Sequence, residues 1–110
     1  MPDVTTDRRS APRYPLILSA EVADKVSLAK LTGRTADISR TGCYIDTLNP
    51  IPAGSRVRVR LQHEQEFFET DGRIIYVSPG LGMGVAFDSV AASQQAILDR
   101  WLEQFAKANK

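Results

Sequence analysis

Three arginines lie within six residues near the start of the chain, in Arg8-Arg9-Ser10-Ala11-Pro12-Arg13. A guanidinium is charged at every relevant pH and presents a planar fork of donors that fits a carboxylate or phosphate two bonds at a time. A second cluster, Asp37-Ile38-Ser39-Arg40-Thr41-Gly42, combines a carboxylate acceptor, a hydroxyl and a glycine. The two segments are chemically complementary, one cationic and one mixed. Each also has a plain structural reading. Tails often carry cations, and a strand-to-strand turn would use Asp37 or Ser39 to bond the local backbone and place Gly42 at positive φ.

The elements around these residues define how they are held. Residues 1–13 hold two prolines and no periodic apolar pattern, which predicts an extended or flexible arm. Pro12 biases Ala11 away from the helical region, so Arg9 and Arg13 act from extended chain with backbones up to roughly 13–14 Å apart, enough to embrace a small ligand. The remainder, 14–110, reads as one folded unit. Leu16, Leu18, Ala20 and Val22 alternate as a half-buried strand, Lys30 to Ile38 forms a second, and Cys43 to Leu48 a third. After the turn at Asn49 to Gly54, Val57, Val59 and Leu61 point inward from a strand that carries Arg56, Arg58, Arg60 and Gln62 outward. His63 to Glu66 is a polar turn. Phe67 to Val77 is a long strand whose phase is expected to slip at Asp71-Gly72. A turn over Ser78 to Gly82 leads into Met83 to Asp88. Ile97, Leu98, Trp101, Leu102 and Phe105 then recur at a helical period over roughly residues 91–107. Five or six short strands before one amphipathic helix make a mainly β, antiparallel barrel or sandwich with the helix across an end or flank.

The composition excludes several function classes. A chain of 110 residues is the size of one domain. Hydrophobic and charged fractions of 43% and 25% fit a globular protein, and a net charge of +1 argues against bulk binding of a long polyanion while leaving a small anion open. No apolar run approaches the ~20 residues of a spanning helix, and the polar N-terminus lacks a signal-peptide layout, so a cytoplasmic location is the expectation. A single cysteine fits a reducing compartment.

No catalytic or metal constellation emerges. His63 reads as a solvated loop histidine rather than a base, and one Cys with one His cannot make a common zinc site. Cys43 reads as a small buried residue. Gly80-Leu81-Gly82-Met83-Gly84 opens a strand, whereas a phosphate-binding loop needs a following helix, so these read as turn glycines. Trp101 and Phe105 read as core, with a partner anchor as the functional alternative. Arg56, Arg58 and Arg60 read as a solvated face that discourages aggregation, with a weak RNA surface as the alternative.

Arg9-x-x-x-Arg13, preceded by Arg8, and Asp37-x-Ser39-x-x-Gly42 together resemble the signature of PilZ domains, bacterial receptors for cyclic di-GMP. The likeness extends to Pro52-x-Gly54, Gly84-Val85-x-Phe87 and the C-terminal helix. It implies a six-stranded antiparallel β-barrel with a C-terminal α-helix, and a nucleotide held on the outer barrel surface by Arg8, Arg9, Arg13, Asp37, Ser39 and Gly42. Guanine O6 and N7 suit an arginine fork, and its N1–H and N2–H suit Asp37. Ser39 would meet phosphate or base, and Gly42 would let the ligand near the backbone. Arg8 resembles its counterpart in members that hold two stacked ligand molecules. No cofactor and no enzymatic activity are implied. The ligand is expected to order the arm and alter a surface read by a protein partner. The alternatives are a PilZ-like adaptor that binds a protein independently of nucleotide, and a single-strand-binding barrel using Arg56, Arg58 and Arg60 with Phe67, Phe68 and Tyr76 nearby.

Overall fold

A computed structural model describes residues 11–108, so Arg8 and Arg9 lie outside the described residues. Six strands, β1 (Ser19–Asp24), β2 (Lys30–Ile38), β3 (Gly42–Asp46), β4 (Arg56–His63), β5 (Glu66–Ser78) and β6 (Gly82–Asp88), precede one helix, α1 (Ala92–Ala108). The strands close into an antiparallel barrel in the order β1-β2-β3-β6-β5-β4. Period-two alternation supplies the core. Val57, Val59 and Leu61 of β4 are fully buried, as are Val22, Ile38, Ile45, Phe68, Ile74 and Met83.

Several boundaries differ from the sequence reading. Leu18 is buried as expected, yet the ladder of β1 starts only at Ser19, because residues 14–18 are held by other means. Tyr14 exchanges both backbone hydrogen bonds with Ile38, and the buried Thr35 hydroxyl accepts from Leu18 N (2.8 Å) and donates to Leu16 O (2.8 Å). The third strand stops at Asp46, leaving Leu48 exposed.

The expected slip at Asp71-Gly72 is absent. Phe68, Thr70, Gly72 and Ile74 keep one inward phase, and the pairing of β5 with β4 runs unbroken from Arg56↔Arg73 to His63↔Glu66. Gly72 is required because a Cβ there would stand 2.7 Å from the Ala86 carbonyl oxygen. Close strand approach, not a bend, accounts for that glycine. The irregularity instead falls between Ile74 and Tyr76, against β6, and a second lies between Thr35 and Asp37, in β2 against β3.

Helix α1 packs its Leu98, Trp101 and Leu102 onto the barrel. Trp101 is 1% exposed, its indole N–H donates to Glu66 Oε1 at 2.9 Å, and its ring lies 6.5 Å from that of Phe68 and 5.6 Å from that of His63. Trp101 is therefore core and offers no partner anchor. His63, read from sequence as a solvated turn residue, ends β4 and is half-buried under the helix. The hairpin turn itself is only Glu64-Gln65, with Glu64 at φ 58°.

The outward arginines of β4 do form a wet face, and it is largely neutralised. Arg58 pairs with Glu69 and Asp71, and Arg60 with Glu69, while Arg60 also lies 4.0 Å over the Phe67 ring. Phe68 is fully buried. Two of the three outward arginines are thus tied to neighbouring carboxylates, and the partly exposed Phe67 ring is covered by one of them.

Candidate functional site

The strand order places β3, β6 and β5 side by side, so residues from three distant parts of the sequence meet on one outer wall. Arg13, Ser39, Thr41, Gly42, Tyr76 and Gly84 are among the residues lining a groove there of about 280 Å³. Of the residues singled out from sequence, the structure brings together Arg13, Asp37, Ser39 and Gly42.

Arg13 is aimed by its neighbour. The Tyr14 bridge to Ile38 fixes the chain alongside the end of β2, one residue after Arg13 and one residue after Asp37. Arg13 Nη2 and Nε then donate to Asp37 Oδ1 at 2.7 and 3.1 Å. The hydrogen bond that Arg13 donates to Asp37 holds the Arg13 pKa above its ordinary value against the opposing effect of burial, with lesser contributions from the Asp37 charge and from Tyr76. Both side chains remain partly exposed, 56% and 32%. An ion pair this wet contributes about 0–1 kcal/mol, so it positions the groups at little energetic cost to exchange.

Ser39 is buried and organises the turn. Its hydroxyl accepts from Thr41 N at 3.1 Å, approaches the Thr41 hydroxyl at 3.2 Å and donates weakly to Gly42 O at 3.4 Å, while Ser39 N donates to Gly42 O at 2.8 Å. Gly42 is outside the left-handed region; the positive-φ glycines of the described chain are Gly54 and Gly80. Its missing side chain has another cause, since a Cβ would run into the Val85 carbonyl oxygen of β6. Gly42 thus lets β3 close on β6 at the floor of the groove.

Two further features are not assigned to this site from the sequence, where Tyr76 is named only as an aromatic near Arg56, Arg58 and Arg60. Arg40, inside the same turn, makes a two-point contact with Asp99 of α1, Nε to Oδ1 at 2.8 Å and Nη2 to Oδ2 at 3.2 Å. Tyr44 and Tyr76 lie over β6, where Gly82 and Gly84 face outward beneath them rather than serving only the turn. Two glycines spaced by one residue on a strand were the available signal for flat rings above. The Arg40 contact had none, since it spans 59 residues.

Cys43 lies beneath this wall, fully enclosed, and burial pushes its thiol up to about 12. It is a packing residue with no thiolate at neutral pH. Among the described residues, no cluster of His, Cys, Asp or Glu could hold a metal ion, and no helix is long and apolar enough to cross a membrane.

Comparison with known proteins agrees with this architecture. Among solved structures, the chain is similar to the inhibitor of motility MotI/DgrA of Bacillus subtilis (18% identity, TM-score 0.77, covering 94% of this chain and 53% of that one). It is also similar to the PilZ domain of CeSA from a cellulose-synthesizing bacterium (24%, 0.66, 81% and 92%). A third similar structure is the PilZ domain of YcgR from Escherichia coli, solved with c-di-GMP (17%, 0.76, 93% and 94%). At these identities the likeness establishes the fold, and the chain spans about half the length of MotI/DgrA. No curated protein sequence matches significantly. The model of the PilZ domain matches residues 7–104, which takes in both arginine arm and Asp37 turn, and on that match the chain belongs to the PilZ domain family.

Proposed function

We propose that this chain is a non-catalytic receptor for cyclic di-GMP, bound on the outer wall between the arginine arm and the Asp37–Gly42 turn. The observation that carries the reading is the Arg13–Asp37 pair at the groove. Two opposite charges, at the family's signature positions, are held together on the surface with little to gain from each other. Guanine satisfies both at once. Its O6 and N7 accept from the Arg13 fork, and its N1–H and N2–H donate to the Asp37 carboxylate. Binding exchanges a wet internal pair for two hydrogen-bonded contacts to one base.

Arg8 and Arg9 complete the clamp from the arm, toward the phosphates or the second base. Ser39 acts chiefly by holding the turn, with its remaining hydrogen-bonding capacity turned to the ligand, and Gly42 by keeping the floor flat. The likeness to YcgR, a protein solved with c-di-GMP, supports the ligand's identity. Closure of the arm over the ligand changes the surface offered to a protein partner, the order–disorder type of switch.

Isothermal titration with cyclic di-GMP tests this reading. Saturable binding to the native chain is expected, with a stoichiometry that separates one bound molecule from a stacked pair. Arg13→Ala and Asp37→Ala should each weaken it by roughly ten-fold or more, as charge-assisted hydrogen bonds are worth about 1.5–3 kcal/mol. Undetectable binding to the native chain at high micromolar ligand sinks the proposal.

A further inference from the structure

We propose that Tyr76, backed by Tyr44, is a base-stacking platform that forms one wall of the ligand site and selects for a planar purine. The inference rests on the receptor reading above and adds to it a residue outside both signature segments.

Geometry carries it. Tyr44 of β3, Gly84 of β6 and Tyr76 of β5 occupy one cross-strand row. Gly84 has no side chain, and a Cβ there would collide with the Tyr76 ring; a Cβ on Gly82 would stand 2.7 Å from the ring and hydroxyl of Tyr44. The two rings therefore lie down over the glycines of β6, their centroids 6.0 Å apart and their planes inclined by 29°. A tyrosine standing off a sheet shows its edge and hydroxyl to water; one laid over a glycine shows its face. Tyr76 remains 44% exposed in this pose.

The platform is also placed where a base would be. The irregularity between Ile74 and Tyr76 brings Tyr76, rather than Ile75, opposite Gly84. Tyr76 lines the same groove as Arg13, Ser39 and Gly42, and it acts on the Arg13 guanidinium closely enough to help raise its pKa. A base hydrogen-bonded to Arg13 by its edge lies beside the Tyr76 ring, and aromatic stacking tolerates any base but gains most from the larger purine face. The core aromatics Phe68 and Trp101 turn inward and are shut from solvent, whereas Tyr76 keeps part of its surface open at the groove.

The test pairs binding with a spectroscopic readout. In the native chain, the guanine H8 proton of bound cyclic di-GMP should move upfield by the ring current of Tyr76. Tyr76→Phe should preserve that shift and bind within about three-fold of the native chain. Tyr76→Leu, which keeps bulk and loses the ring, should abolish the shift and weaken binding about ten-fold or more, as expected for one lost stacking contact. Native binding with no H8 shift overturns the platform while leaving the receptor reading intact, and this measurement needs no variant to fold. Equal affinity for Tyr76→Leu and the native chain overturns it equally. Absence of native binding removes the receptor reading and the platform with it.

Discussion

Gly42 separates two meanings that a signature glycine can have. The sequence reading kept it for close approach of a ligand, whereas the structure gives it a neighbour on the other side: the Val85 carbonyl oxygen occupies the space a Cβ would need. Backbone atoms cannot swing away as a flexible side chain does. Gly42→Ala should therefore force β3 and β6 apart at a cost of about 1–3 kcal/mol, the range for overpacking. In a domain near this size that lowers the melting temperature by roughly 4–8 °C per kcal/mol, readable by circular dichroism without ligand. An unchanged melting temperature with lost nucleotide binding would return the glycine to the ligand. Arg13 and Asp37 were legible in the sequence because long charged side chains on exposed segments announce their chemistry by type. The place of Tyr76 beside them was not: the sequence offered it only as an aromatic near Arg56, Arg58 and Arg60, and it is the glycine across the strand that lays its ring flat.

At the scale of elements, the amphipathic helix was legible from its period and its apolar stripe. What it covers was not. Trp101 packs against His63 and Phe68, and its neighbour Arg100 meets Glu66, the residue that also receives the indole N–H. Trp101→Ala should cost about 3–5 kcal/mol, a large share of the 5–15 kcal/mol that holds a typical domain together. A urea midpoint unchanged by that substitution would show that the helix docks without it. The tie from Arg40 to Asp99 is weaker and pH-dependent. The Arg40 hydrogen bond, with help from Gln95, holds Asp99 below its ordinary value of 3.8. A lowered folded pKa means the stabilisation is fully present above the unfolded value and is lost as pH falls through the folded one. Solvent screening keeps it to about 0–1 kcal/mol. Asp99→Asn should thus be slightly less stable at neutral pH and converge with the native chain as pH falls below the ordinary carboxylate range; a stability difference that stays constant as pH falls would refute the tie. Strand positions followed from alternation, but the irregularities at Ala36 and Ile75 did not, because an extra residue is defined against a partner strand that sequence does not reveal.

For the whole molecule, alternation alone left barrel and sandwich open, and the resemblance carried by the two signature segments resolved them. Closure depends on β1 pairing with both β2 and β4, contacts between segments whose hydrophobic patterns are interchangeable with those of a sandwich. The same closure assembles the groove, drawing residues 13, 39, 41–43, 75–76 and 84–87 together. A ligand seated in the proposed site would meet Arg13, the turn and the neighbouring strands together, so its binding free energy would be available only to the folded barrel. Stability should then rise by RT ln(1 + [L]/Kd), about 2.7 kcal/mol when cyclic di-GMP stands at a hundred times its dissociation constant. For a domain near this size the corresponding rise in melting temperature is roughly 10–20 °C. The increase should continue with the logarithm of ligand concentration after the site is saturated, since linkage to unfolding does not plateau at occupancy. Arg13→Ala should follow the same law displaced to higher concentration, and Tyr76→Leu should be displaced by its own loss of affinity. A melting temperature that levels off at saturation, or rises equally in Arg13→Ala, would mean that the nucleotide also binds the unfolded chain or binds away from this wall.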